Sequence, residues 1–342
     1  MTVVRLFQDQ ISFRLQPSGL LALGMAVALV LLTLVISLLS GSFELSPQDV
    51  WQALQNPLAD AQHRLVVWEF RLPRTLVAVF SGALFALSGA MLQNLTRNAL
   101  ADPSLIGISQ GAALAVVALI VVFPEFGNEW REVAAFSGSL GVAALIRLVS
   151  GEGHSLKFIL MGIGVAAFIT ALTSAMLTYG DIEEAMSALA WLAGSVNSAN
   201  WSDVRILAIA CSVLIVLYLL QSRALSPMAL GHETATGLGV PLRRVGRVQL
   251  LSAVMAAALA TAVVGPLGFV GLLAPHLTRQ ILRTGPATFL LLTALVGGLL
   301  VMIADLAGRV LFDPIQLPAG LVTSLIGAPV FIWLMLRPRP SL

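Results

Sequence analysis

Long apolar runs separated by short polar stretches dominate this chain, and their lengths predict membrane-crossing helices. A crossing helix needs about 20 apolar residues at roughly 1.5 Å of rise each. Ten runs fit or approach that length: 19–40, 75–95, 104–123, 133–149, 157–179, 203–221, 248–264, 269–282, 287–307 and 320–336. The stretch 248–279 is too long for one crossing, and Gly265-Pro266 supplies the break, because proline removes a backbone donor. Two further segments, 46–54 behind Ser46-Pro47 and 182–194 with Trp191, have one apolar face and are expected to lie at the membrane surface. Between the sixth and seventh runs stands a polar loop, 223–247, reading RALSPMALGHETATGLGVPLRRVGR.

Composition agrees with an all-α polytopic membrane protein. Charged residues make up 11% of the 342, against about 25% in soluble domains, and mean hydropathy is +0.93. The first run follows Arg5 and Arg14 and exceeds the ~7–15 apolar residues of a signal peptide, so it is expected to be the first crossing. One cysteine, Cys211, excludes a disulfide framework. Basic residues favour the cytoplasmic side. With ten crossings and a cytoplasmic N-terminus, most of the 19 basic residues fall inside, including Arg97, Arg147, Lys157, Arg223, Arg243, Arg244, Arg247, Arg279 and Arg283. Glu125, Glu129, Glu132, Asp181, Glu183 and Glu184 fall outside. The expected layout is therefore a cytoplasmic 1–18, a membrane domain over 19–336 with the cytoplasmic loop 223–247, and a cytoplasmic 337–342.

Candidate chemistry is sparse. A phosphate-binding P-loop needs a lysine after its glycines, and Lys157 is the only lysine and precedes Phe158. Any ATP and magnesium must therefore act on another polypeptide; no cofactor is expected on this chain. His63, His154, His232 and His276 have no metal-ligand spacing, so no metal site is expected, and nothing calls for nucleic acid. GLGV at 237–240 follows no strand and is a poor dinucleotide fingerprint. Gly107 and Gly111 form GxxxG, and Gly82, Ala86 and Gly89 share a face, as close helix packing requires. Asp305 is the one acidic residue inside a crossing, and an ion pair with Arg309 one turn on is the bland account of it. A proton-relay carboxylate is the functional one.

RLPRTLVAVFSGALFALSGAMLQNLTRNALADPSLIGISQGAAL (71–114) resembles the second and third crossings of the FecCD family, permeases of iron–siderophore and vitamin B12 ABC importers. ALGHETATGLGV (229–240), GPLGFVGLLAPHLTR (265–279) and the pieces ADLAGR and LPAGLVTSLIGAPVFIWLML within 304–336 resemble it in the family's order. Ala99 stands where members often carry proline, and Thr284-Gly285-Pro286-Ala287 replaces a charged cluster. The resemblance implies a type II importer permease in a bacterial inner membrane, surrounded by lipid, with both termini cytoplasmic. It implies a second permease subunit, identical or homologous, two ABC ATPase subunits and a periplasmic substrate-binding protein. Leu230, Gly231, His232, Glu233, Leu238, Gly239 and Val240 would contact the ATPase. Arg71, Arg74 and Arg309 would receive glutamates of the binding protein, a task suited to the guanidinium fork. The segment MSALAWLAGSVNSANWSDV (186–204) resembles members that carry ferric siderophore more than those for vitamin B12 or haem. The rival from another class is a proton-coupled secondary transporter using Asp305.

Overall fold

The computed structural model describes residues 2–6, 11–15, 17–41, 43–56, 60–150, 156–229, 231–282, 284–312 and 315–336. A short antiparallel hairpin opens the chain, β1 (Thr2–Leu6) with β2 (Ile11–Leu15), Thr2 opposite Leu15. The apolar-run pattern does not anticipate it; its β-branched Thr2, Val3, Val4 and Ile11 favour strand. Every regular element described after it is helical.

Each of the ten runs is a helix. They are α1 (Pro17–Leu39), α4 (Leu72–Thr96), α5 (Ile108–Val121), α6 (Arg131–Ser150), α7 (Leu156–Tyr179), α9 (Trp201–Ala229), α11 (Leu242–Val264), α12 (Val270–Ile281), α13 (Pro286–Val310) and α14 (Ala319–Leu336). Among the described residues, seven helices are long and apolar enough to cross a membrane; α5, α12 and the apolar part of α14 are shorter. The two amphipathic segments are α2 (Pro47–Gln55) and α8 (Ile182–Leu192). Ser46 and Asp49 form a reciprocal capping box at the start of α2. These hydrogen bonds from Ser46 hold the Asp49 carboxyl below its usual range.

α3 (Ala61–Leu65) runs into a π-helical stretch, Val66–Arg71, and then into α4, so residues 61–96 form one rod of 36 residues. The wide turn ends beside Pro73, where the missing N–H and the ring disturb the regular ladder. α4 is the hub: it packs against α13, α11, α12 and α9, and its side chains are almost all buried. α5 packs with α6, α7 and α8 in a second cluster joined to the hub through α11.

Glycines set how closely the hub helices approach. A Cβ on Gly82 would sit 2.3 Å from the Gly297 carbonyl oxygen, and one on Gly89 only 1.9 Å from that of Gly271. Backbone meets backbone there, as small-residue packing in lipid allows. Gly111 meets Gly138 in the same way, and Gly107, the N-cap of α5 with φ +87°, continues that face against the side chains of Val142 and Ile146 on α6.

Candidate functional site

Two polar features stand out from this apolar body: a short helix between α9 and α11, and a cluster of arginines where α1 and α13 end beside the start of α4. The short helix is α10 (His232–Gly237). Gly231 precedes it with φ +124°, and Gly239 follows with φ +80°, values costly for side-chain-bearing residues. Val240 N–H donates to Ala235 O at 3.0 Å, and Gly239 N–H to Thr236 O at 2.9 Å. That pair of bonds is a Schellman cap. GLGV is therefore a helix stop, which accounts for its glycine spacing without a nucleotide. Ala235 is fully buried and anchors the helix, whereas Glu233, Gly237 and Gly239 are exposed and Leu238 is 63% exposed. Leu238 is thus an apolar side chain held out on a stiff, anchored turn. Leu230 lies outside the described residues, as does the side chain of His232.

At the other end of the bundle, Asp305 on α13 is 3% exposed and lies between two guanidiniums. Arg309, one turn on, places Nε 3.3 Å from Oδ2. Arg74 is closer: Nη2 donates to Oδ1 at 2.8 Å, and Nε reaches both oxygens at 3.0 and 3.1 Å. Its Nη1 donates to the side-chain oxygens of Asn197 and Gln316, the latter at 2.9 Å. Both carboxylate oxygens accept from Arg74, and Arg309 sets a second positive charge beside them, the arrangement of a buried ionic cluster. Arg74 and Asp305 are 231 positions apart, so only Arg309 was within reach of a helical-spacing argument.

Arg71 and Arg309 also have partners within the chain. Arg71 donates to the carbonyls of Leu38, at 2.6 Å, and Phe43. Arg309 donates to Ser37 Oγ at 2.7 Å and Ser40 O at 3.2 Å. The last carbonyls of a helix lack intrahelical donors and carry partial negative charge. Two arginines from elsewhere therefore finish α1. All three arginines are buried, at 5, 8 and 7% exposure for Arg71, Arg74 and Arg309. The family resemblance groups these three for docking on the outer side; the structure gathers them around Asp305 and the end of α1.

Asn197, Gln316 and Arg131 are site residues that the sequence reading did not single out. With Arg74 and Ser195 they line a cavity of about 360 Å³ beside α8. A larger cavity, about 700 Å³, lies at the opposite end, between Met91, Asn94, Leu225, Arg279 and Phe289. There Arg279 donates to Gln93 Oε1 at 2.7 Å and lies 5.1 Å from the Phe289 ring centre, a cation–π contact. His276 is hydrogen-bonded to Gln280 at 3.1 Å. Among the described residues no three His, Cys, Asp or Glu side chains gather as metal ligands would.

The sequence pattern of the FecCD transport family matches residues 29–337. The chain belongs to the FecCD transport family. Among its relatives, the iron(3+)-hydroxamate import system permease FhuG of Bacillus subtilis is 35% identical over 326 residues, covering 92% of this chain and 96% of that one. The hemin transport system permease HmuU of Yersinia pestis is 37% identical over 334 residues, covering 95% and 98%. A solved structure of the metal-chelate type of ABC transporter, in an inward-facing conformation, superposes with a TM-score of 0.82 at 30% identity, covering 92% of this chain and 98% of that one. The all-α, multi-pass membrane architecture is thus that of a FecCD permease, a non-catalytic transport subunit.

Proposed function

We propose that this chain is the membrane permease of an ABC importer for ferric siderophores, working with a second permease subunit, two ATPase subunits and a periplasmic binding protein. The observation that carries the reading is full-length similarity to iron-chelate permeases in a chain with no nucleotide-binding motif of its own. In this proposal α10 faces the cytoplasm and takes up the displacement produced when nucleotide closes the ATPase dimer. ATP biases the conformations because it binds the closed ATPase better than the open one. Leu238→Asp should weaken attachment of the ATPase about tenfold or more, as loss of an apolar anchor does, and uptake should fall with it. Unchanged co-purification and uptake would remove α10 from this role.

We further propose that the Asp305 end is periplasmic and meets the binding protein. The guanidiniums of Arg71, Arg74 and Arg309 would then exchange some own-chain acceptors for carboxylates. Because Arg74 and Arg309 also hold Asp305, Arg71 is the better test. Arg71→Gln should reduce docking of loaded binding protein about tenfold while the permease–ATPase complex forms in normal amount. Docking at wild-type strength would take Arg71 out of this role.

The relative that transports hemin favours haem as the second substrate reading. Proteoliposome uptake of labelled ferric siderophores, hemin and cobalamin, each with its binding protein and ATP, separates the readings. Siderophore uptake that persists without ATPase subunits would overturn the importer reading itself.

A further inference from the structure

The register of the opening hairpin sorts its residues into two unlike faces. Thr2 stands opposite Leu15, Val4 opposite Phe13 and Leu6 opposite Ile11, and alternate residues of a strand share a face. That face is therefore apolar at every position but Thr2. The other carries Val3, Arg5, Ser12 and Arg14, with the two arginines at diagonally neighbouring positions across the pair. A two-stranded hairpin is at best marginally stable in water by itself, so one with an apolar face needs a surface to lie on.

Covalent connection limits where that surface can be. Only Gln16 separates β2 from α1, so Leu15 lies within about 7 Å of Pro17. α1 is exposed along most of its length, and Leu20, Leu21 and Met25 stand on its outer surface from the first turn onward. On a membrane-crossing helix that surface faces lipid, so the hairpin sits at the level where acyl chains give way to headgroups. β2 also comes beside α9, whose Val216 and Leu220 are exposed in the same way. α1 ends beside Arg309 and starts with Gly19 close to Thr284 and Thr288, where α13 begins. The hairpin therefore belongs to the end of the bundle opposite the Asp305 cluster.

We propose that the opening hairpin is a membrane-surface anchor: its apolar face dips into the bilayer beside α1 and α9, and Arg5 and Arg14 bind phosphates of anionic lipids in that leaflet. Period-two amphipathicity gives the strand pair what an interfacial helix obtains from its own period. Arginine suits the outer face because its long apolar stem lets the guanidinium bend back to headgroup level. In the orientation proposed above the leaflet is the cytoplasmic one, whose anionic lipids attract basic segments beside a crossing. The anchor requires that α1 cross the membrane; it does not depend on what the permease carries.

The test uses the full chain in phosphatidylcholine nanodiscs, with and without phosphatidylglycerol. In a Cys211→Ser background, which removes the one cysteine, an environment-sensitive fluorophore is attached through Val4→Cys or Phe13→Cys on one face, and Val3→Cys or Ser12→Cys on the other. Labels at positions 4 and 13 should be blue-shifted and quenched by lipids that carry a spin label near the glycerol. Labels at 3 and 12 should instead be quenched by iodide in the water. Unlabelled protein gives a second reading, free of any disturbance by the fluorophore. Tryptic cleavage after Arg5 and Arg14, measured against a soluble arginine peptide in the same discs, should be at least about fivefold slower when the discs are anionic. Four labels that report alike would overturn the two-faced hairpin. Labels at 4 and 13 that are blue-shifted yet untouched by the quenching lipid would put the apolar face on protein and remove the bilayer as its occupant. Cleavage at equal relative rates in the two discs would overturn the arginine–phosphate contact.

Discussion

Asp305→Ala should yield little folded protein. The substitution leaves Arg74 and Arg309 side by side, both nearly buried, with their shared carboxylate gone. Removing one partner of a buried ionic cluster costs about 3–5 kcal/mol, out of total stabilities of about 5–15 kcal/mol. Membrane abundance should fall severalfold, and the purified remainder should melt at markedly lower temperature. Arg74→Met added to Asp305→Ala removes one stranded charge and should recover part of the loss, because the two sites are in contact and their effects do not add. A singly substituted protein that melts like wild type would show that the cluster is not structural. A proton-relay role predicts a different pattern: Asp305→Asn folded and abundant yet inactive, with transport independent of ATPase subunits.

Gly89→Ala is expected to be nearly as damaging despite adding one methyl group. The new Cβ would lie 1.9 Å from the carbonyl oxygen of Gly271 and 2.5 Å from its carbon. These are backbone atoms, so no side chain can swing aside; α4 and α12 must separate. Overpacking a tight interior costs about 1–3 kcal/mol, and a backbone obstacle at the hub puts this change at or above the upper end. Gly24→Ala in α1, where no atom lies within 4 Å of the added methyl, is the control. It should be neutral or slightly stabilising, since alanine exceeds glycine in helix propensity by about 1 kcal/mol. Thermal unfolding in detergent compares the two directly. Equal melting temperatures would show that the α4–α12 approach is slack.

The contrast between these sites explains what could be read from the sequence. The crossings and the two surface helices follow from the lengths of apolar runs, a local property of consecutive residues. The break at Gly265-Pro266 is local too, as is the i,i+4 relation of Asp305 to Arg309. The closer partner of Asp305 was not legible, because Arg74 comes from another helix 231 positions away. Family resemblance had grouped Arg71, Arg74 and Arg309, but nothing in their spacing revealed that two of them close the end of α1. Arg131 was also missed. Its hydrogen bond to Ser187 on α8, 56 positions away, is likewise a product of the fold. For α10 the sequence showed glycines and a short helical stretch, while the Schellman bonds gave those glycines their reason.

The 36-residue rod from Ala61 to Thr96 also has a bearing on the shape of the exposed surface. At 1.5 Å per residue it is about 54 Å long, whereas a bilayer with its headgroups is only about 40–45 Å thick. A tilt of about 20° shortens its span to roughly 50 Å, still more than the bilayer accommodates. The chain just beyond Thr96 turns back alongside the rod, bringing Asp102 against Gly271 and so to the level of Gly89. The surplus length therefore emerges at the Ala61 end. That end is braced from the side, because Trp68 Nε1 donates to Ala53 O of α2 at 2.9 Å, so the protruding turns and α2 are held as one unit.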